Sequence, residues 1–420
     1  MSYKSSILVA LLIFSLIFSG GCWDQVEIEN LAIIRAIAVD YLPGRPAPYL
    51  VTLAVKRPAA MGPQEGGGGG GEQIALYAGV GASIELAIKQ ATLHIPRRIY
   101  LAHNDLVIVG EQLASHGLLP VLDFVIRNPE MRLSAFLLVA AETGWEILHT
   151  AARKEKSITE EIHGLLDQAR ETSETQPEPV FRFLRKMTTL GEEAHTVVII
   201  AKPLPGDKLP ELKIQGAEAG EAEGGQGGGD NEGGGAKQEK SLALDGMAVF
   251  RGDRLAGILD RREARGKLWL SGQTARGVMA VDDPVHPEQT VTLSLTRSQT
   301  KLTPSVQDGR ISFRVEVEAE GDLISQSSQA DLTTPEMIKK LNSAMSGAIK
   351  AEMEKALQKM RQLETDVVGF GALLNRRKPK LFREMAERWP ETFAQLPVEI
   401  QVKANIRRTG MQSKPARITR

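Results

Sequence analysis

The sequence predicts a multi-domain α+β protein in which mixed and antiparallel sheets carry packed helices, and three observations predict it. Between Leu31 and Ala201, short apolar runs alternate with segments of helical periodicity. From residue 203 to 241 that periodicity gives way to glycine, glutamate and glutamine, a composition that buries too little surface to offset its ordering entropy. Beyond 242, alternating strands are followed by a run of helices and a returning strand, the order of an α+β unit. The expected organisation is a signal peptide over 1–21, an N-terminal α/β unit over 22–202 with a glycine-rich loop at 62–72, a disordered linker over 203–241, a C-terminal α+β domain over 242–412 and a tail over 413–420.

The leader comes first. A lysine-bearing start, Met1 to Ser6, runs into twelve mostly apolar residues, Ile7 to Phe18, then Ser19, Gly20, Gly21 and Cys22. A membrane-spanning helix needs about 20 apolar residues, so this order reads as a cleavable export signal. Small residues ending on cysteine resemble a bacterial lipobox, in which cleavage after Gly21 leaves Cys22 first, bearing an S-diacylglyceryl group and an N-acyl chain. The match departs from the usual pattern at Ser19, where an aliphatic residue is common. Cys22 is the one cysteine of 420 residues, which excludes an internal disulfide and would otherwise leave a reactive thiol in an oxidising compartment. One acyl chain holds only marginally, at about 0.8 kcal/mol per buried methylene, whereas two chains anchor stably. Trp23 then stands either at headgroup depth, where an indole is favoured, or as a packing residue.

The elements follow in order. Leu31 to Val39 is apolar enough for a buried strand that Asp40 stops, and Tyr49 to Lys56 alternates as a second, joined through the turn-rich Pro43 to Pro48. Gly66 to Gly71 lacks the Lys-Ser/Thr that a phosphate-binding loop requires and reads as a flexible loop. Ser83 caps a helix over Ile84 to His94 whose inner face is Ile84, Ala87, Ile88 and Ala91. Leu106 to Val109 and Ser134 to Ala141 are buried strands flanking a helix over Leu118 to Arg127. Ser157 and Glu160 open a helix with Ile158, Ile162, Leu165 and Ala169 inward. Val180 to Thr189 is helical and Thr196 to Ala201 is a strand. In the second unit, Gly246 to Phe250 and Arg254 to Leu259 pair around Gly252-Asp253, and Val291 to Thr296 and Ile311 to Val317 are strands with Asp308-Gly309 as a turn. Pro335, capped by Thr334, opens one long helix running to about 364, a length that suits either packing on another element or a partner surface. Asp366 to Leu374 and Pro379 to Trp389 form shorter helices, and Val398 to Ile406 closes the unit.

Composition narrows the function. With 51 basic and 52 acidic side chains, formal net −1, there is no basic excess for nucleic acid. His94, His103, His116, His149, His163, His195 and His286 show no metal-ligand spacing. His103-Asn104-Asp105 reads as a loop entering a strand, Gly369-Phe370-Gly371 lacks dinucleotide-fingerprint spacing, and Arg376, Arg377, Lys378 and Lys380 form either a solvated helix end or a contact for anionic headgroups. No nucleophile and base can be nominated, so no enzyme, cofactor or metal is expected.

Several segments together carry a resemblance: Gly21-Cys22-Trp23-Asp24, Glu27 to Asp40, Pro96 to Glu111 (PRRIYLAHNDLVIVGE), Leu122 to Arg132, Asp245 to Asp260 (DGMAVFRGDRLAGILD), Lys267 to Gly272 (KLWLSG), Asp366 to Gly371 (DVVGFG), and Trp389 with the closing strand through Gly410. In this order they resemble the Ger(x)C family, the lipoprotein C subunits of nutrient germinant receptors in endospore-forming bacteria. The resemblance implies acylation at Cys22, anchoring on the outer face of the spore inner membrane, and work without catalysis beside two integral membrane subunits, A and B. The alternative is a solute-binding lipoprotein feeding an importer, which should show two similar α/β lobes around a cleft.

Overall fold

A computed structural model of the chain describes residues 27–57, 74–150, 152, 155–203, 240–274 and 276–409. Cys22, Trp23, the glycine-rich stretches at 62–72 and 204–239, and the tail lie outside the described residues.

β1 (Leu31–Tyr41) is the apolar run read from the sequence, and it is buried along most of its length because it lies inside a sheet covered on both faces. It does not stop at Asp40. That residue stays in the strand and its buried carboxylate accepts the amides of Gly144 (2.7 Å) and Trp145 (2.9 Å), capping the short helix α4 (Gly144–His149). β2 (Tyr49–Lys56) pairs with β1 antiparallel, and β3 (Ile74–Gly81), not foreseen, continues outward. α1 (Ile84–Thr92) starts where Ser83 Oγ accepts the Leu86 amide. β4 (Arg98–Tyr100), β5 (Leu106–Gly110) and β6 (Phe136–Ala140) are separated by α2 (Glu111–His116) and α3 (Leu119–Arg127). After α4 come α5 (Ile158–Thr172), the two-residue β7 (Glu178–Pro179), α6 (Val180–Thr188) and β8 (His195–Pro203).

β9 (Lys240–Arg251) and β10 (Arg254–Leu259), expected at the head of the second unit, instead complete the first sheet, whose order is β10-β9-β8-β6-β5-β1-β2-β3 with β4 beside β1 and β7 beside β6. The middle strands are parallel and the margins antiparallel. Pro203 pairs with Lys240, so the strands on either side of residues 204–239 are neighbours in one sheet. The two-residue period of a strand explains how β9 serves both units. Ala248 and Phe250 face the first core, with α1, α2, α3 and α6, whereas Met247 and Val249 face the second. A third cluster packs α4 and α5 on the opposite face of the first sheet.

The second sheet is β11-β12-β13-β14. β12 (Thr290–Gln307) and β13 (Arg310–Gln326) form one long hairpin turned by Asp308 (φ 48°) and Gly309 (φ 75°), the left-handed pair that a two-residue hairpin loop requires. β14 (Val398–Arg408) lies parallel to β13, and β11 (Gly277–Asp282) edges β12. α8 (Pro335–Gln362) is the long helix; its stripe Leu341, Met345, Ile349, Met353, Ala356 and Met360 is buried, so it packs on its own unit. α7 (Arg261–Ser271), opened by a capping box on Asp260 and Glu263, crosses it at Gly266, where a Cβ would lie 2.0 Å from the Glu352 carbonyl oxygen. The helix expected over Asp366 to Leu374 is displaced to α9 (Phe370–Arg377), because Asp366 caps it and Gly369 turns the chain at φ 86°. The next splits into α10 (Pro379–Met385) and α11 (Trp389–Ala394). The fold is α+β with mixed and antiparallel sheets and packed helices.

Candidate functional site

The most chemically loaded places in the molecule are two buried polar clamps on either side of residues 186–195, where the first sheet meets the second unit. In the first, α6 presents Lys186 on the same inward stripe as Val180 and Phe183. Its Nζ donates to Glu178 Oε1 of β7 at 2.6 Å and lies 3.1 Å from His195 Nε2 at the start of β8. From the other unit, Lys267 Nζ on α7 lies 2.9 Å from the same Nε2 and donates to Gln273 Oε1 at 2.8 Å. All four ionisable side chains are buried. Burial, followed by the neighbouring lysine charges, drives His195 well below its ordinary value, and burial with the Lys186 charge does the same to Lys267. Burial lowers Lys186 as well, against the pull of Glu178.

This arrangement ties elements together, and its parts are unequal. Lys186→Ala strands the buried Glu178 carboxylate and is expected to cost about 3–5 kcal/mol. Lys267→Met is expected to change stability by less than about 1 kcal/mol or to raise it, because Glu178 keeps its partner and an amine that must shed solvent is replaced by an apolar chain of similar length. His195 retains Lys186, and Gln273 Oε1 retains the Ser271 hydroxyl at 2.8 Å. Guanidinium unfolding of both variants checks the pair; equal losses would mean that the two lysines act as one unit.

The second clamp is Asp366, fully enclosed by four donors. Oδ1 accepts the amides of Gly369 (2.8 Å) and Phe370 (3.1 Å), and Oδ2 accepts the Gly371 amide (2.8 Å) and the Trp389 indole (3.1 Å). Burial pushes the carboxyl up to about 6, opposed by those four hydrogen bonds. The Asp366 carbonyl takes the Glu193 amide at 2.9 Å, and the Ala372 amide donates to the Gly191 carbonyl at 2.8 Å, so the clamp also fastens the α6–β8 loop. Gly191 and Gly371 allow that approach: a Cβ on Gly191 would come 2.6 Å from the Gly371 carbonyl carbon. Nearby, Arg251 at the end of β9 donates to the Leu363 carbonyl (2.7 Å) and to Glu364 (2.8 Å), a cation placed at the C-terminus of α8.

The other residues singled out in the sequence are placed as follows. Cys22 and Trp23 lie outside the described residues. Asp105 pairs with Arg35 at 2.7 Å and Asn104 is buried at the entry to β5, as a loop leading into a strand should be. Gly369-Phe370-Gly371 is the amide cradle of Asp366. Arg376, Arg377, Lys378 and Lys380 are exposed at the α9–α10 junction. His195 alone of the histidines joins a charged cluster with both units. Its signal, with that of Lys186 and Lys267, is an ionisable residue on an otherwise apolar stripe. Among the described residues no group of three His, Cys, Asp or Glu is placed to hold a metal. A cavity of about 220 Å³ between α5 and β9 has mainly apolar walls such as Leu165, Ala169, Leu242 and Leu244, and its one guanidinium, Arg261, is already held by Asp245 at 2.9 Å.

Comparison with known proteins accounts for both halves. Residues 24–201 match the spore germination protein N-terminal domain, and residues 245–410 match the spore germination B3/GerAC-like C-terminal domain. Spore germination protein KC of Bacillus subtilis (strain 168) is 27% identical over 420 residues, covering 98% of each chain. Spore germination protein YndF of the same organism is 24% identical, covering 93% of each. The fold is similar to the crystal structure of the GerBC protein, with a TM-score of 0.55 at 17% identity over 90% of this chain and 99% of that one. Fold and matches together define a two-sheet α+β spore germination protein. The chain belongs to the Ger(x)C family of spore germination proteins.

Proposed function

We propose that this chain is a membrane-anchored lipoprotein subunit of a nutrient germinant receptor, required for spore germination through assembly with the integral membrane A and B subunits. The observation that carries this is that two germination-protein domain matches follow one another across 24–201 and 245–410, beginning two residues after Cys22. In this reading Cys22 is acylated after cleavage behind Gly21, Trp23 sits at the headgroups, and the ectodomain stands on the outer face of the spore inner membrane. Among the described residues no helix is long and apolar enough to cross a membrane, which suits attachment through lipid. The tether raises the effective concentration of the ectodomain beside its partners without any new contact. The clamps then act by keeping two units in one fixed relation, so that a surface spanning both is presented as a whole.

Cross-linking in spore membranes followed by purification of the full-length chain is expected to recover both polytopic subunits. Recovery of the lipoprotein alone, with germination intact in its absence, would overturn the assignment. A solute-binding lipoprotein is disfavoured by the dissimilar sheets, and calorimetry of the mature chain against amino acids and sugars is expected to show no micromolar binding.

A further inference from the structure

The end of the first sheet from which β1 starts has a character of its own. Ile28, in the single turn before β1, is 75% exposed, and Leu93, at the C-terminus of α1, is 78% exposed; these are the two most exposed large apolar side chains among the described residues. Each precedes a strand that begins at this end of the sheet, Ile28 three residues before Leu31 of β1 and Leu93 five residues before Arg98 of β4. Leu31 lies beside Arg98 in the parallel β1–β4 ladder, four residues after Leu93 have brought the chain to Arg97, and antiparallel β2 finishes at the same level with Lys56 and Arg57. Arg57, Arg97 and Arg98 are exposed and have no acidic partner among the described residues, and Lys89 is exposed one turn before Leu93. Against Arg57, Lys89, Arg97 and Arg98, the described residues of the same end carry Glu27 and Glu29.

Exposed aliphatics at a sheet end that also carries arginines without an acidic partner among the described residues are costly in water and favoured at a lipid headgroup layer, where the apolar tips enter and the cations meet phosphate. The sequence supplies the geometry: Cys22 precedes Ile28 by six residues, which span at most about 20 Å. We infer that this end of the first sheet lies directly on an anionic phospholipid surface, with Ile28 and Leu93 in the headgroup layer and Arg57, Arg97 and Arg98 on lipid phosphates. This rests on acylation of Cys22, and it adds an orientation: β1 stands up from the membrane, and the β1–β2 turn with Arg45 is its far end, about 36 Å away for eleven strand residues.

The test uses the full-length acylated chain in vesicles of phosphatidylcholine with phosphatidylglycerol, carrying a fluorophore on Leu93→Cys or, as control, on Arg45→Cys, with a headgroup-labelled quencher lipid. Quenching at position 93 is expected to exceed that at position 45 by more than about fivefold and to collapse in Arg97→Glu/Arg98→Glu, since each arginine near an anionic surface tightens apposition by about fivefold. Flotation of the same vesicles reports the anchor separately. A chain that floats while position 93 is quenched no more than position 45 overturns the orientation and leaves the anchor standing. Quenching at position 93 in a chain whose Cys22 carries no acyl group supports the surface and overturns the anchor.

Discussion

Cys22→Ala is expected to abolish incorporation of labelled fatty acid and to move most of the protein out of the membrane fraction, with loss of the germination response that depends on this receptor. The size of the effect follows from the chains involved. Each buried methylene contributes about 0.8 kcal/mol and a single chain binds only marginally, so removing a diacylglyceryl group removes the larger part of the attachment. The apolar stretch Ile7 to Phe18 is too short to replace it as a span. Arg57, Lys89, Arg97 and Arg98 near β1 would retain a salt-sensitive remnant, and washing at high ionic strength should strip it because exposed charges are screened within about 10 Å at 0.1 M. A variant that still takes up fatty acid, or that remains salt-resistant on the membrane with germination unchanged, would remove the anchoring argument.

Asp366→Ala is expected to be the most damaging change in the described core. It orphans three amides and the Trp389 indole in a site with no exposed path, and at about 1–3 kcal/mol for each buried unsatisfied donor the loss is about 4 kcal/mol or more. It also loosens the α6–β8 loop, so the two units should lose their cooperative unfolding. The pH dependence runs opposite to that of an ordinary ion pair. Because the folded carboxyl is pushed from 3.8 up to about 6, the folded state holds the proton more tightly than the unfolded one. Its contribution is therefore full below about pH 4 and declines as pH rises through 6, by about 3 kcal/mol. The stability gap between the native chain and Asp366→Asn, measured by guanidinium unfolding, should be wider at pH 4 than at pH 7. A gap that widens with pH would mean that the four donors outweigh burial.

The candidate site was legible in the sequence only in part. The DVVGFG segment and Trp389 stood out as a resemblance, yet their chemistry was not readable, because the donors of Gly369, Phe370 and Gly371 are backbone groups that no residue type announces. Nothing in the sequence near Lys186 or Lys267 sets either apart from a solvated charge. They become partners only when His195 is brought between them from a strand nine residues after one and 72 residues before the other. The short elements β3, β4, β7, β11, α2, α4 and α7 carry no sufficient signal of their own for a related reason. Their stability comes from neighbours, as α4 depends on Asp40 a hundred residues away, and not from their own periodicity.

By itself the sequence determined the lone cysteine, the buried strand β1, the hairpin turn at Asp308-Gly309, the long helix behind Thr334 and Pro335, and the α+β class, because each is encoded in residues close together in the chain. Only the tertiary structure decided that β9 and β10 belong to the first sheet and that β9 divides alternate residues between two cores. The physical reason is that a glycine-rich stretch signals a loop but not where its ends meet, and strand pairing between Pro203 and Lys240 is a long-range choice made by burial on both faces.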